Sequence, residues 1–185
     1  MAEPRHLTTE QLEAGLESIR QSPRNDGVLE MIVRRPSVGE REVVQQGELR
    51  LRDGLVGDSW ATRGCPLTPD GSAHPDMQLN VMNARALALV AQDKARWQLA
   101  GDELIVDLDL SEENLPAGTR LAIGSAIIEV TAQPHTGCEK FAERFGADAV
   151  RFVNSPLGKR QRLRGLNARV VEAGVIRTGD VVRKV

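Results

Sequence analysis

Leu12, Leu16 and Ile19, spaced by four and three residues, give the segment from Thr8 to Gln21 one apolar side and predict an amphipathic helix. Thr8 and Gln11 stand where a capping box would close its first turn. Ser22-Pro23 and Asn25-Asp26-Gly27 break the pattern, and the alternation from Val28 to Arg35 predicts a strand that ends at Pro36. Short strand-like runs follow at Val43-Val44 and Leu49-Arg50-Leu51. Next comes Gly54-Leu55-Val56-Gly57-Asp58, whose paired glycines imply tight backbone geometry. A polar loop rich in Gly and Pro leads to a strand expected over Met77 to Met82. Asn83 then caps a predicted helix that runs to about Leu99 and stops at Gly101, with Leu87, Val90 and Trp97 toward the core.

The strongest β signal is Leu104 to Leu108, then Arg120 to Ile123 and Ala126 to Thr131 on either side of Gly124-Ser125. The last two runs fit a hairpin with a two-residue turn. Beyond Pro134 the period changes to that of a helix, with Phe141 and Phe145 four apart. Asn167 to Glu172 and Asp180 to Arg183 are expected as closing strands about a turn at Gly179. This order predicts an α+β, predominantly β architecture: a helical lead-in over residues 1–26, then one barrel-like domain over 27–185 with peripheral helices.

A chain of 185 residues with 41% hydrophobic and 27% charged residues has the balance of one ordinary globular domain. Only 3% of residues are aromatic and none is tyrosine, so the core must be aliphatic and base stacking on nucleic acid is disfavoured. A net charge of -2 gives no general attraction to phosphate backbones or anionic membranes. No apolar run reaches the length of a membrane span, and the N-terminus lacks a signal-peptide core, so a cytoplasmic location is expected. Two cysteines are too few for a disulfide framework.

Cys138 is the first chemical candidate, because Pro134-His135-Thr136-Gly137-Cys138 joins a predicted strand to a predicted helix. A thiol in the first turn of a helix sits at the positive end of the macrodipole, which favours the nucleophilic and metal-ligating thiolate. The same cysteine also reads as a small buried hydrophobe. His135, three residues earlier, could tune that thiol or simply be solvated. Cys65, His74, His135 and Cys138 together contain the ligand types of a structural zinc site, although only the last two have ligand-like spacing. Lys159-Arg160-Gln161-Arg162-Leu163-Arg164, with Arg169 beyond, is the one basic cluster. It reads either as a solvated helix face or as a binding module for an anion or RNA.

Taken in order, four segments resemble the MOSC (molybdenum cofactor sulfurase C-terminal) family: Gly54 to Asp58, Leu121 to Val130, Gln133 to Cys138 around the single cysteine, and Gly165 to Arg169 through Thr178-Gly179-Asp180. The resemblance spans about Gly27 to Val185. It implies a distorted β-barrel with a cleft for the molybdenum cofactor (molybdopterin), and a cysteine that ligates molybdenum or carries sulfur as a persulfide. Cys138 inherits that role, in small-molecule reduction or sulfur transfer. Asp58, Arg63, His135, Thr136, Arg164 and Asn167 become the expected cofactor contacts. The chain shows no aminotransferase-like domain that would use pyridoxal phosphate and no ferredoxin-like cysteine cluster, so a sulfur donor or reductase is expected to be a separate protein. Gly137 stands where some members carry proline, which implies a differently shaped pocket.

Overall fold

The computed structural model describes residues 5–185; residues 1–4 of the expected lead-in lie outside the described residues. Among the described residues there are eleven strands and seven α-helices: α1 Thr9–Ala14, α2 Leu16–Arg20, β1 Gly27–Arg34, β2 Glu42–Val44, β3 Gln46–Arg50, β4 Gly54–Leu55, α3 Trp60–Arg63, β5 Leu79–Asn83, α4 Ala84–Ala91 and β6 Leu104–Asp107. These are followed by β7 Arg120–Ile123, β8 Ala126–Val130, α5 Glu139–Phe145, α6 Ala147–Asn154, α7 Pro156–Arg160, β9 Leu166–Glu172, β10 Gly174–Arg177 and β11 Val181–Lys184. No helix among the described residues is long and apolar enough to cross a membrane.

Seven strands close into a barrel in the order β11-β7-β8-β9-β5-β6-β1, all antiparallel except the β5–β6 pair. The ring is sealed where Gly27 and Val28 pair with Val182 and Val181, and the far end of β1 pairs with β2 instead. The expected α+β barrel with peripheral helices is therefore present. β3, β4 and β10 form a separate three-stranded sheet whose Leu49, Leu55 and Ile176 add to the barrel core.

Successive residues of a strand face opposite ways. Val81, Leu104 and Val106 point into the barrel, whereas Met82 and Ile105 join a second core outside it with Leu12, Ile19, Phe141 and Phe145. Strands β5 and β6 are buried on both faces for this reason; Leu104-Ile105-Val106 of β6 reads as a continuous apolar run, whereas β5 carries Asn80 and Asn83 among its apolar residues. The N-terminal helices belong to this second core, so the lead-in packs on the domain.

The hairpin at Gly124-Ser125 forms as expected, with Ile123 opposite Ala126. The Thr8–Gln11 capping box is also present, but the first helix breaks at Gly15. The long helix expected from Asn83 to Leu99 is corrected too. Asn83 caps α4 through the Ala86 N–H, but Gln92 turns left-handed at φ 62°, and a 3-10 helix over Lys94–Ala100 begins afresh on the Asp93 cap. A 3-10 turn at Pro75–Met77 delays the strand expected at Met77 until Leu79. The closing segment holds β10 in addition to the two expected strands, and Gly179 lies in the β10–β11 turn.

Candidate active site

One end of the barrel gathers the chemistry. Strands β1 and β8 finish there while β5, β6 and β9 begin, so Arg35, the segment after Val130, Asn80, Asp102-Glu103 and Asn167 meet although they are remote in sequence.

Arg35 is buried and nearly saturated. Its Nε and Nη2 donate to the two carboxylate oxygens of Asp58 at 3.0 and 3.1 Å, and the Asp58 side chain is only 1% exposed. Its Nη1 donates to the Gly101 carbonyl and to Asn80 Oδ1, and Nη2 also pairs with Glu103. Burial disfavours charge on this guanidinium, yet the Glu103 and Asp58 carboxylates hold its pKa above the ordinary arginine range. Burial dominates at Glu103, whose carboxyl is pushed up to about 7 against the pull of Arg35 and with the help of the Asp58 charge. Asn80 passes the network on by donating to Asn167 Oδ1 at 2.6 Å. Asn167, fully buried, donates in turn to the carbonyls of Gln133 and Pro134 and so fixes the segment that leads to Cys138.

A second cluster is centred on Asp102. Arg164 Nη1 donates to both of its oxygens at 2.7 and 2.9 Å, and His135 Nε2 lies 2.9 Å from Oδ1. Burial alone would raise the Asp102 pKa, but Arg164 and His135 outweigh it and hold the group below the usual carboxylate range. His135 is shifted down, first by burial and then by the Arg164 charge, against the pull of Asp102. The Arg164 guanidinium also stacks 4.8 Å from the Phe141 ring centroid.

Two cavities flank these clusters. A groove of about 590 Å³ is lined by Arg35, Arg41, Arg63, Lys140 and Arg144, with Glu143 the acidic residue on its wall. Arg41 is half-buried there, and its Nε is sequestered without a partner. Its pKa falls below the ordinary arginine value through burial and then through the Arg144, Arg35 and Arg63 charges. A cavity of about 410 Å³ lies against His135, Thr136, Lys159, Arg162 and Arg164. The chain between the two runs through Gly137, whose N–H donates to Asn154 Oδ1, to Cys138 at the N-cap of α5. The Cys138 thiol is exposed and makes no capping hydrogen bond, so it is not the buried hydrophobe that was the alternative.

A family model, the MOSC domain, matches residues 68–183, well over half of the chain. The chain belongs to the MOSC domain family. Solved structures share the fold: the YuaD protein of Bacillus subtilis superposes with a TM-score of 0.64 at 15% identity, covering 84% of this chain and 93% of that one. YiiM from Escherichia coli gives 0.55 at 20% identity, over 85% of this chain and 69% of its own. A hypothetical protein of known structure gives 0.57 at 21% identity, over 90% and 70%. No curated protein matches the sequence significantly.

Within this MOSC domain the expected residues divide by position. Arg63 lines the cationic groove, and His135, Thr136 and Arg164 line the second cavity. The side chains of Asp58 and Asn167 are buried and act on other protein groups. The zinc-ligand set does not assemble: among the described residues no three His, Cys, Asp or Glu side chains converge to hold a metal, and His74 Nδ1 accepts from the Asp76 N–H. The basic run is no continuous surface for RNA either. Lys159 and Arg160 are exposed, Arg164 is buried on Asp102, and Arg169 is paired with Glu129 and Asp76. Arg35, Arg41, Arg144, Asn80, Asp102 and Glu103 escaped sequence reasoning. The one available signal was the adjacent acids Asp102-Glu103 flush against a strongly apolar strand, since a carboxylate held there needs a cationic partner.

Proposed function

We propose that the chain binds the molybdenum cofactor, with the Arg41 groove taking its phosphate and Cys138 providing a thiolate to the metal. The observation that carries this reading is the crowding of Arg35, Arg41, Arg63 and Arg144 around one groove with an unpartnered, buried Arg41 Nε. Like charges brought together in a partly dry groove repel, and an anion relieves that repulsion while using the idle donor. Guanidinium forks suit a phosphate, the groove volume lies in the range of cofactor sites, and a soft thiolate suits molybdenum. When bound, the cofactor would supply a redox-active metal centre able to take sulfur or oxygen.

The protein's own part is to position. Asp58 and Glu103 hold Arg35 at the groove floor, and Asn167 fixes the backbone that presents Cys138. Exposure of the Cys138 thiol favours a second use of the same residue, as a persulfide carrier that a separate donor protein can reach.

The test is molybdenum and pterin analysis of protein purified from a host that makes the cofactor, beside Cys138→Ser and an Arg41→Gln, Arg63→Gln double variant. Stoichiometric metal and pterin, with metal reduced by the cysteine change and both reduced by the arginine changes, is the expected result. A folded wild type free of both, incubated with a sulfur donor and found by mass spectrometry to carry one extra sulfur on Cys138, would support the carrier reading instead.

A further inference from the structure

The cavity beside His135 is distinct from the arginine groove. The groove reading gives it no role, and it has the features of a built site. Its volume of about 410 Å³ suits a small molecule. Arg162 reaches its wall with a left-handed backbone at φ 47°, a strained conformation for a side chain of that size. Gly165 at φ 113° closes the same turn so tightly that a Cβ would lie 3.2 Å from the His135 ring. Arg164, 93% buried, lines the cavity with its Nε unpartnered.

The imidazole is oriented for use. Its Nε2 faces a carboxylate that Arg164 keeps ionised, so Nε2 carries the hydrogen and donates it to Asp102. Nδ1 is left with a lone pair and has no protein partner among the described residues. It is not one of the fully buried atoms, so it is open to a ligand. The charged groups around the ring and cavity are Asp102, Arg164, Arg162, Lys159 and Glu112, a net cationic set.

We propose that this cavity binds a small organic anion bearing a hydroxyl or amine proton, with Lys159 and the Arg162 guanidinium hydrogens not taken by the Leu110 and Leu115 carbonyls holding the anionic end, and His135 Nδ1 accepting a hydrogen bond from the hydroxyl or amine. The ligand keeps its proton and donates it as a hydrogen bond to the Nδ1 lone pair, while Asp102 holds the ring through the Nε2 hydrogen. His135 is then a ligand-binding residue and Asp102 a positioning residue. The proposal does not depend on the cofactor and is tested without it.

Glycolate, a carboxylate with one hydroxyl, serves as the probe, and acetate as the control lacking the donor. The full cofactor-free chain is labelled with ¹⁵N at its three histidines, His6, His74 and His135, and the imidazole nitrogens are followed by NMR. The expected result is a neutral Nε2–H tautomer at His135 and a saturable movement of Nδ1 toward its protonated position with glycolate but not acetate. Binding should weaken about tenfold in Arg162→Gln, through loss of a charge-assisted hydrogen bond. It should weaken about threefold in Lys159→Gln, an exposed change that leaves the fold alone and decides the matter should the Arg162 variant fail to fold. No saturable shift, one shared by His74, or one indifferent to both substitutions overturns the proposal.

Discussion

Asp102 and Glu103 are consecutive, both 1% exposed, and each neutralises a different arginine, Asp102 holding Arg164 and Glu103 holding Arg35. Alternation at the start of a strand sends them to opposite sides, so one dipeptide supports both cavities. Their energetics differ. Arg35 keeps a two-oxygen pairing with Asp58 if Glu103 is lost, whereas Arg164 has no second carboxylate. Asp102→Asn should therefore destabilise the protein by about 3–5 kcal/mol, the cost of a stranded buried charge. Glu103→Gln should cost less. Urea denaturation of the two variants beside the wild type measures both.

The same neighbours should respond to pH with opposite signs. Asp102, held below the ordinary carboxylate range, binds fewer protons folded than unfolded, so its contribution is present above about 4 and is lost as pH falls through its folded value. Glu103, raised from 4.5 to about 7, binds more protons folded, and its contribution declines as pH rises across that window. The stability difference between wild type and Asp102→Asn should grow with rising pH in the acid range. That between wild type and Glu103→Gln should shrink between pH 4.5 and 7. Parallel slopes in the two difference curves would contradict the assignment.

An anion that fills the arginine groove should stabilise the folded chain by mass action. Inorganic phosphate is expected to raise Tm in a saturable way, and the Arg41→Gln, Arg63→Gln pair to lose most of that rise. Without phosphate the double variant should be no less stable than wild type, because the crowded cations repel. Differential scanning calorimetry with phosphate at constant ionic strength separates the site from general screening.

Cys138→Ser should change stability by no more than about 0.5 kcal/mol, since the exposed thiol makes no capping hydrogen bond. In the native wild type, Cys138 should react with a thiol reagent ahead of the half-buried Cys65. The serine variant should lose the faster phase.

Two glycines with left-handed backbones offer a contrast. Gly71→Ala, at φ 72° with nothing within 4 Å of the added carbon, should cost only about 1 kcal/mol from backbone conformation. Gly165→Ala places its Cβ 2.3 Å from the Val81 carbonyl oxygen and should cost about 3 kcal/mol or more. Thermal unfolding of the pair checks the difference.

Local signals in the sequence were read well where the chain itself decides the geometry. The Gly124-Ser125 hairpin, the Thr8 capping box and the Phe141–Phe145 pair, whose rings lie 4.8 Å apart, all depend on residues within a few positions of one another. The break at Gln92 carries no glycine or proline to announce it; packing of the Trp97 turn into the second core sets it. The site divided in the same way. Cys138 and His135 stood out through a strand-to-helix junction, but Arg35 meets Glu103 across 68 positions and Asp102 meets Arg164 across 62. Only barrel topology makes those pairs, and no local pattern encodes them.

The seam of the barrel has a kinetic consequence. Two residue pairs, Gly27 with Val182 and Val28 with Val181, join opposite ends of the domain, so the ring closes only after nearly all of the intervening chain is in place. Contacts so distant in sequence carry a large loop-closure entropy and slow the search, placing folding in the millisecond-to-second regime of β-rich topologies. The buried ion pairs need no such closure: Glu103 reaches Arg35 beside the β1–β6 pair and Asp102 reaches Arg164 where β6 and β9 flank β5, so neutralisation of the interior can precede the sealing of the ring.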